Sequence, residues 1–220
     1  MATSSSTVRA RAGGATAPTL TVNRPSWADI NKHYPNESIP SDKFYPMVGK
    51  GYADIVKKNP DSYSNSCATR MSYALNRSGM KLPVAPDGGN IKGDDGLNYW
   101  LRVRQLSKRL QDQFGKPDKE LTYKHIERTT QAELVKERFE KANIFLDEIK
   151  TKKGIVVFEV EGWNDASGHF TVWDGKNLGY VGPGDHNNAT SDEYYFWFLR
   201  TIITDKVVAQ TKKVALWELK

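Results

Sequence analysis

The feature that most constrains the fold is a change of hydrophobic period near residue 150. Before it, apolar residues recur at intervals of three and four. Val103, Leu106, Leu110 and Phe114 fall on one stripe, which predicts a helix within 102–114 that Gly115 and Pro117 end. Another helix is expected from about 66 to 78. Met71, Tyr73, Ala74 and Leu75 supply its apolar face, Ser64, Asn65 or Ser66 its cap, and Gly79 its stop. A third is expected over about 131–150, opened by the capping-box pattern Thr130-Gln131-Ala132-Glu133. The segment 84–96 reads as a long Gly/Asp loop. After residue 150 the pattern becomes that of strands. GIVVFEV (154–160) is β-branched and apolar, a buried strand. GHFTVWDG (168–175) sets His169, Thr171 and Trp173 against Phe170 and Val172, and Asp174-Gly175 signals a hairpin turn. YYFWFLRTII (194–203) and VALWEL (214–219) are further strand candidates. Helices followed by an antiparallel meander give the α+β class, with N-terminal helices packed on an antiparallel sheet.

At 220 residues the chain can bury one sizeable core. Residues 1–23 are rich in Ser, Thr, Ala and Gly, and they read as a flexible leader. A single domain over 24–220 then starts at RPSWADINKHYP. No apolar run has signal-peptide length, and none approaches the roughly 20 residues that span a bilayer. The expectation is a chain made in the cytoplasm without a Sec signal and without membrane insertion. If it acts elsewhere, another machine must carry it. The net charge of +6 suits an anionic partner such as nucleic acid, a membrane surface or an acidic cell wall, without choosing among them. The basic runs KTKKG (150–154) and TKK (211–213) are short and read as solvated faces. In YWLRVR (99–104) the helical spacing favours core plus solvated face over nucleic-acid contact.

One cysteine excludes an intramolecular disulfide. One Cys and four dispersed His give no metal-ligand spacing, and GDDG and GPGD lack the lysine and following helix of a phosphate loop. No metal or cofactor is expected. The chemistry therefore turns on Cys67, in NSCATRMSYALNRSG. As composition alone has it, a lone Cys is a small buried apolar residue. Its place at a helix start gives a second reading. There the unpaired N–H groups and the positive end of the dipole favour thiolate and can hold a developing oxyanion. A cysteine nucleophile needs a base. His33, His125 and His186 lie in connecting segments, whereas His169 sits early in a strand, flanked by glycine and aromatics. On a hairpin turning at Asp174-Gly175, position 180 would lie across from His169, and the Tyr180 side chain is a poor orienter. Asp185 in GPGDHN is the favoured third member over Asp174, whose carboxylate is expected to serve the turn itself.

NSCATRMSYALNRSG resembles the nucleophile segment of the fourth family of type VI secretion amidase effectors, approximately Asn-x-Cys-Ala-x-Arg-Met-Ser-x-x-Leu-Asn-x-x-Gly. GWNDASGHFTVWDG resembles that family's histidine segment, with Gly-Trp, a small residue before Gly-His, and Trp-Asp/Asn-Gly. YWLRVRQLSKRLQDQFGKPD is similar to its middle helix, and RPSW and VALWEL fit its ends, so the resemblance spans about residues 24–219.

The resemblance implies a papain-like, NlpC-related amidase. It would cleave peptidoglycan stem peptides between D-glutamate and meso-diaminopimelate in the periplasm of a rival Gram-negative cell. Delivery would be by the type VI machinery, with a cognate immunity protein as partner. Cys67 matches the nucleophile, His169 the base and Asp185 the third member. Asn65, Ser66, Trp163 and Ser167 are candidates to hold substrate or oxyanion. The chain departs from the family where cysteines flank that Asp and can form a disulfide, and its helix at 131–150 is longer than usual. A papain-like protease or deamidase acting on proteins would use the same Cys–His pair. A non-catalytic wall- or partner-binding module would not need it.

Overall fold

The computed structural model describes all residues except 1–3, 9–10, 13–14, 17–19, 128–131, 183–185 and 192–194; for the strand residues up to 23 it describes the backbone alone. The first elements are β1 (Ser4–Val8), β2 (Arg11–Ala12), β3 (Ala15–Thr16) and β4 (Leu20–Arg24). β1 pairs antiparallel with β4, and β2 with β3. Such ladders rest on main-chain hydrogen bonds, which the composition of a leader does not encode. Arg24, at the end of β4, is buried. It donates to the Phe114 and Glu218 carbonyls at 2.9 and 3.1 Å and pairs with Asp118.

Five helices follow: α1 (Trp27–His33), α2 (Ser41–Val48), α3 (Lys50–Lys58), α4 (Pro60–Tyr63) and α5 (Cys67–Arg77). Ser26 caps α1 by accepting from the Asp29 N–H at 3.1 Å. The expected Gly/Asp loop is more structured than its composition suggests. It carries a 3-10 turn and β5 (Asn90–Lys92), which pairs with β6 (Asn98–Trp100). Then come α6 (Val103–Phe114), β7 (Lys119–Thr122) and α7 (Ala132–Ile149). The capping box expected at Thr130 lies outside the described residues. The chain ends with β8 (Gly154–Glu161), β9 (Gly168–Trp173), β10 (Arg200–Ile202) and β11 (Val208–Glu218).

The main sheet runs β10-β11-β8-β9, and β7 also pairs with β11; all pairings are antiparallel. The last strand therefore inserts beside β8, and the sheet is not the simple meander expected. Alternation along β8 explains the layers. Ile155 and Val157 face a core built with α1, α5 and α6, and Val156, Phe158 and Val160 face a second core built with α7. Two indoles tie helices to these faces. Trp217 Nε1 donates to the Gly115 carbonyl at 3.1 Å, and Trp173 Nε1 to the Ile149 carbonyl at 3.0 Å. Each satisfies a carbonyl left over at a helix C-terminus.

The aromatic run at 194–203 departs from expectation. Among its described residues only Arg200–Ile202 forms a strand, while Tyr195–Leu199 is a buried turn in which the Phe198 N–H donates to the Tyr195 carbonyl at 2.9 Å. Large rings from this turn fill the second core. Phe196 stacks on Phe158 with centroids 4.9 Å apart, and Trp197 meets Phe158 edge-on at 4.9 Å. Burial of the rings decides the conformation here over strand propensity.

Candidate active site

β8 and β9 pair with Glu159 opposite Gly168 and Phe158 opposite His169. Gly168 has φ +154, and a Cβ there would lie 2.1 Å from the Phe158 carbonyl oxygen. Only glycine lets the strands close at this point, which fixes where the His169 side chain leaves the sheet. That ring is 5% exposed and lies between Phe196, stacked at 4.6 Å, and Tyr180, at 5.9 Å.

His169 Nε2 bonds the Tyr180 main-chain carbonyl at 2.7 Å. A carbonyl only accepts, so Nε2 carries the proton. Burial holds the imidazole neutral and drives its pKa down from 6.5 to about 4; the Tyr180 carbonyl opposes this, and His186 and Arg70 reinforce it. A neutral ring protonated on Nε2 has its lone pair on Nδ1, the form of a base. The hairpin register differs from the expected one. Trp173 bridges Leu178, and the Tyr180 N–H donates to Thr171 Oγ1 at 2.9 Å. Position 180 thus lies beside 171, and it orients His169 through its backbone, which its side-chain chemistry could not reveal.

Cys67 is the first residue of α5, as the sequence suggests. Its N-cap, Ser66, makes no side-chain cap bond; the hydroxyl accepts instead from Arg70 Nε at 3.1 Å. The first-turn amides are thus left uncapped by that side chain. The thiol is 1% exposed, and burial pushes it up from 9.0 to about 11. The N–H groups of Phe170, Ala68 and Cys67 itself, and then Arg70, pull the other way without prevailing. Desolvation thus opposes the pull of the helix start on the thiol. Phe170, whose N–H faces the sulfur, is the residue after His169 in β9.

Arg70 lies on the buried stripe of α5, three residues after Cys67, and is fully buried. Its acceptors are neutral oxygens: Pro35 and Ile39 carbonyls at 2.8 and 2.9 Å, and Ser66 Oγ. Its guanidinium carbon sits 3.9 Å from the Tyr180 ring centroid and 4.6 Å from that of Phe44. Sequence reasoning assigned it no role. The available signal was an arginine on the apolar face of a helix.

A cavity of about 690 Å³ opens beside His169, lined by Asn65, Trp163, His169, Tyr180, His186 and Phe196 among others. Asn65 and Trp163 share this wall with His169, and Trp163 lies edge-on to Phe196 at 6.1 Å. Ser66, Cys67 and Ser167 do not line it; Ser167 presents its carbonyl to the Val160 N–H at 3.1 Å. Asp174 accepts from the Lys176 and Asn177 N–H groups at 2.7 and 2.6 Å, the turn's own bonds. Asp185 lies outside the described residues. His186, its neighbour, stacks at 4.4 Å on Phe196, the ring that also stacks on His169. His33 and His125 serve elsewhere, on the Asp29 carbonyl and the Glu161 carboxylate. Among the described residues, no three His, Cys, Asp or Glu side chains cluster as a metal site would require, and no helix is long and apolar enough to cross a membrane.

No curated protein matches the chain. Several solved structures share its fold. A type VI effector–immunity complex, Tae4–Tai4 from Enterobacter cloacae, superposes with a TM-score of 0.61 at 21% identity, covering 90% of this chain and 99% of the other. The effector Tae4 from Enterobacter cloacae by itself gives 0.61 at 20% identity, with 90% and 98% covered. Tae4 from Salmonella typhimurium, in complex with the Enterobacter cloacae immunity protein Tai4, gives 0.58 at 22%, with 90% and 100% covered. The family model for type VI secretion system amidase effector protein 4 matches residues 63–217, a span holding Cys67, Arg70, His169 and Tyr180. By that match, over more than half its length, the chain belongs to the Tae4 family of type VI secretion system amidase effectors.

Proposed function

We propose that this chain is a cysteine-dependent peptidoglycan amidase that hydrolyses the D-glutamyl–meso-diaminopimelate bond of stem peptides, with Cys67 as nucleophile and His169 as base in a papain-like, NlpC-related arrangement. The observation that carries the reading is the bond from His169 Nε2 to the Tyr180 carbonyl at 2.7 Å. It leaves the basic lone pair on Nδ1, next to a residue whose N–H faces the Cys67 sulfur.

Because both groups rest neutral, the proton moves as the bond forms. Cys67 Sγ attacks the amide carbonyl carbon while His169 Nδ1 takes the thiol proton. The oxyanion is held by the uncapped first-turn N–H groups of α5, with Asn65 at the cavity mouth. Collapse breaks the C–N bond, and His169 returns its proton to the departing amine. Water then attacks the thioester carbonyl, giving up a proton to His169; the C–S bond breaks to release the carboxylic acid, and the sulfur takes that proton back from His169 to restore the thiol. Asp185 is the carboxylate that balances the transient imidazolium. Trp163 and the cavity rim carry the stem peptide. Ser66 acts through Arg70.

The family name supports delivery by a type VI system and action in the periplasm of a target cell. Relatives solved with Tai4 support a cognate immunity protein as partner. The test is digestion of Gram-negative sacculi with fragment analysis, run beside a panel of protein substrates. New fragments ending in free diaminopimelate amine are expected from the wild type and not from Cys67→Ala. An unchanged muropeptide profile, or a fully active Cys67→Ala, refutes the proposal.

A further inference from the structure

Arg70 is a buried cation whose hydrogen bonds, as described above, all go to neutral oxygens. Burying a charge without a carboxylate is costly, so its retention calls for compensation from geometry. Its contacts fall on three separate pieces of chain. Through Nε it holds the hydroxyl of Ser66, the residue before Cys67, at 3.1 Å. Through Nη1 and Nη2 it holds the carbonyls of Pro35 and Ile39, the latter on the cavity rim. Its plane lies under the Tyr180 ring at 3.9 Å, and the Tyr180 carbonyl fixes His169. The rim and the Tyr180 segment are tied a second time: the Glu37 N–H donates to the Gly179 carbonyl at 2.9 Å, and Glu37 Oε1 accepts from the Val181 N–H.

We propose that Arg70 is a positioning residue, joining the nucleophile helix, the cavity rim and the Tyr180 segment so that Cys67 and His169 meet in register and the thiol faces a fixed positive charge. The inference rests on the Cys67–His169 reading. Other titratable groups act around the thiol and the imidazole. The Tyr34 and Tyr52 phenols, both pushed up by burial, feel the thiol, and His186 faces His169. With the phenols protonated and His169 neutral, Arg70 is the charge that acts on the Cys67 sulfur.

Rates of Cys67 alkylation by iodoacetamide across pH test this without any wall substrate. Arg70→Lys keeps a charge but loses the fork and the flat stacking surface. The expected result is a folded protein whose alkylation midpoint rises by about one pH unit. On muropeptides, kcat should fall roughly 10²-fold with KM nearly unchanged, as misplacement of reacting groups does. A residue with only a structural role would lower stability and leave both the midpoint and kcat of the folded fraction alone; that outcome overturns the proposal. If Arg70→Lys does not fold, Ser66→Ala decides. It removes the Nε acceptor alone, and an unshifted midpoint with full kcat refutes the coupling. Wild-type protein that leaves sacculi intact would sink the amidase reading while the alkylation profiles still report on Arg70.

Discussion

Acid should remove stability through His169 in a defined window. In the folded chain its pKa is depressed from 6.5 to about 4, whereas the unfolded chain keeps the ordinary value. Between these values the unfolded state binds a proton that the folded state excludes. The stability due to the neutral ring is therefore full above pH 6.5 and is lost as pH falls towards 4. Integrating the two titrations gives a loss of about 2 kcal/mol by pH 5 and about 3 kcal/mol by pH 4, relative to pH 7. The comparison that isolates this term is His169→Phe. A phenyl ring keeps the stacking on Phe196 but drops the bond to the Tyr180 carbonyl, for a pH-independent cost of about 1–3 kcal/mol. Urea unfolding of both proteins from pH 7 to pH 4 gives the difference directly, and carboxylates titrating elsewhere cancel. The wild-type advantage should shrink by about 3 kcal/mol over the range. Parallel curves would refute the argument, since they would mean that His169 is solvated enough to titrate normally.

Gly168→Ala should destabilise by about 2 kcal/mol or more and abolish activity, because the added Cβ meets the Phe158 backbone at φ +154 beside His169; a wild-type melting curve would contradict this. The thiol should titrate late: alkylation of Cys67 at pH 7 should be slow and accelerate towards pH 11, and the wild type should lose about 2 kcal/mol relative to Cys67→Ala between pH 9 and 11. A midpoint below 8.5 would overturn the burial argument. Arg138→Met should cost about 3 kcal/mol in urea unfolding, since Arg138 holds the Phe198, Leu199 and Thr211 carbonyls between α7 and the sheet; a cost under about 0.5 kcal/mol would show those carbonyls find other partners.

Much of this protein is written in local patterns. Periodicity alone places α5, α6 and α7 within a residue or two, because an amphipathic stripe records which face is buried at each step. The β-branched run of β8 and the Gly-His segment of β9 are legible for the same reason. Cys67 at a helix start and His169 early in a strand are local facts, so the pair could be named before any coordinates. What the sequence could not decide depends on partners far along the chain. The run at 195–199 has strand composition, but its rings are taken up by α7 and β8, and the backbone turns to seat them. The protonation of the pair likewise follows from enclosure. A helix N-terminus favours thiolate, but the first core buries Cys67 and raises the cost of that charge, while Phe196 and Tyr180 enclose the His169 ring. The Tyr180 carbonyl that holds His169 carries no side-chain signature of that contact, since a backbone acceptor is identical at every residue. Sequence therefore determined which residues open α5 and lead β9, and tertiary packing decided what encloses them and which groups they bond.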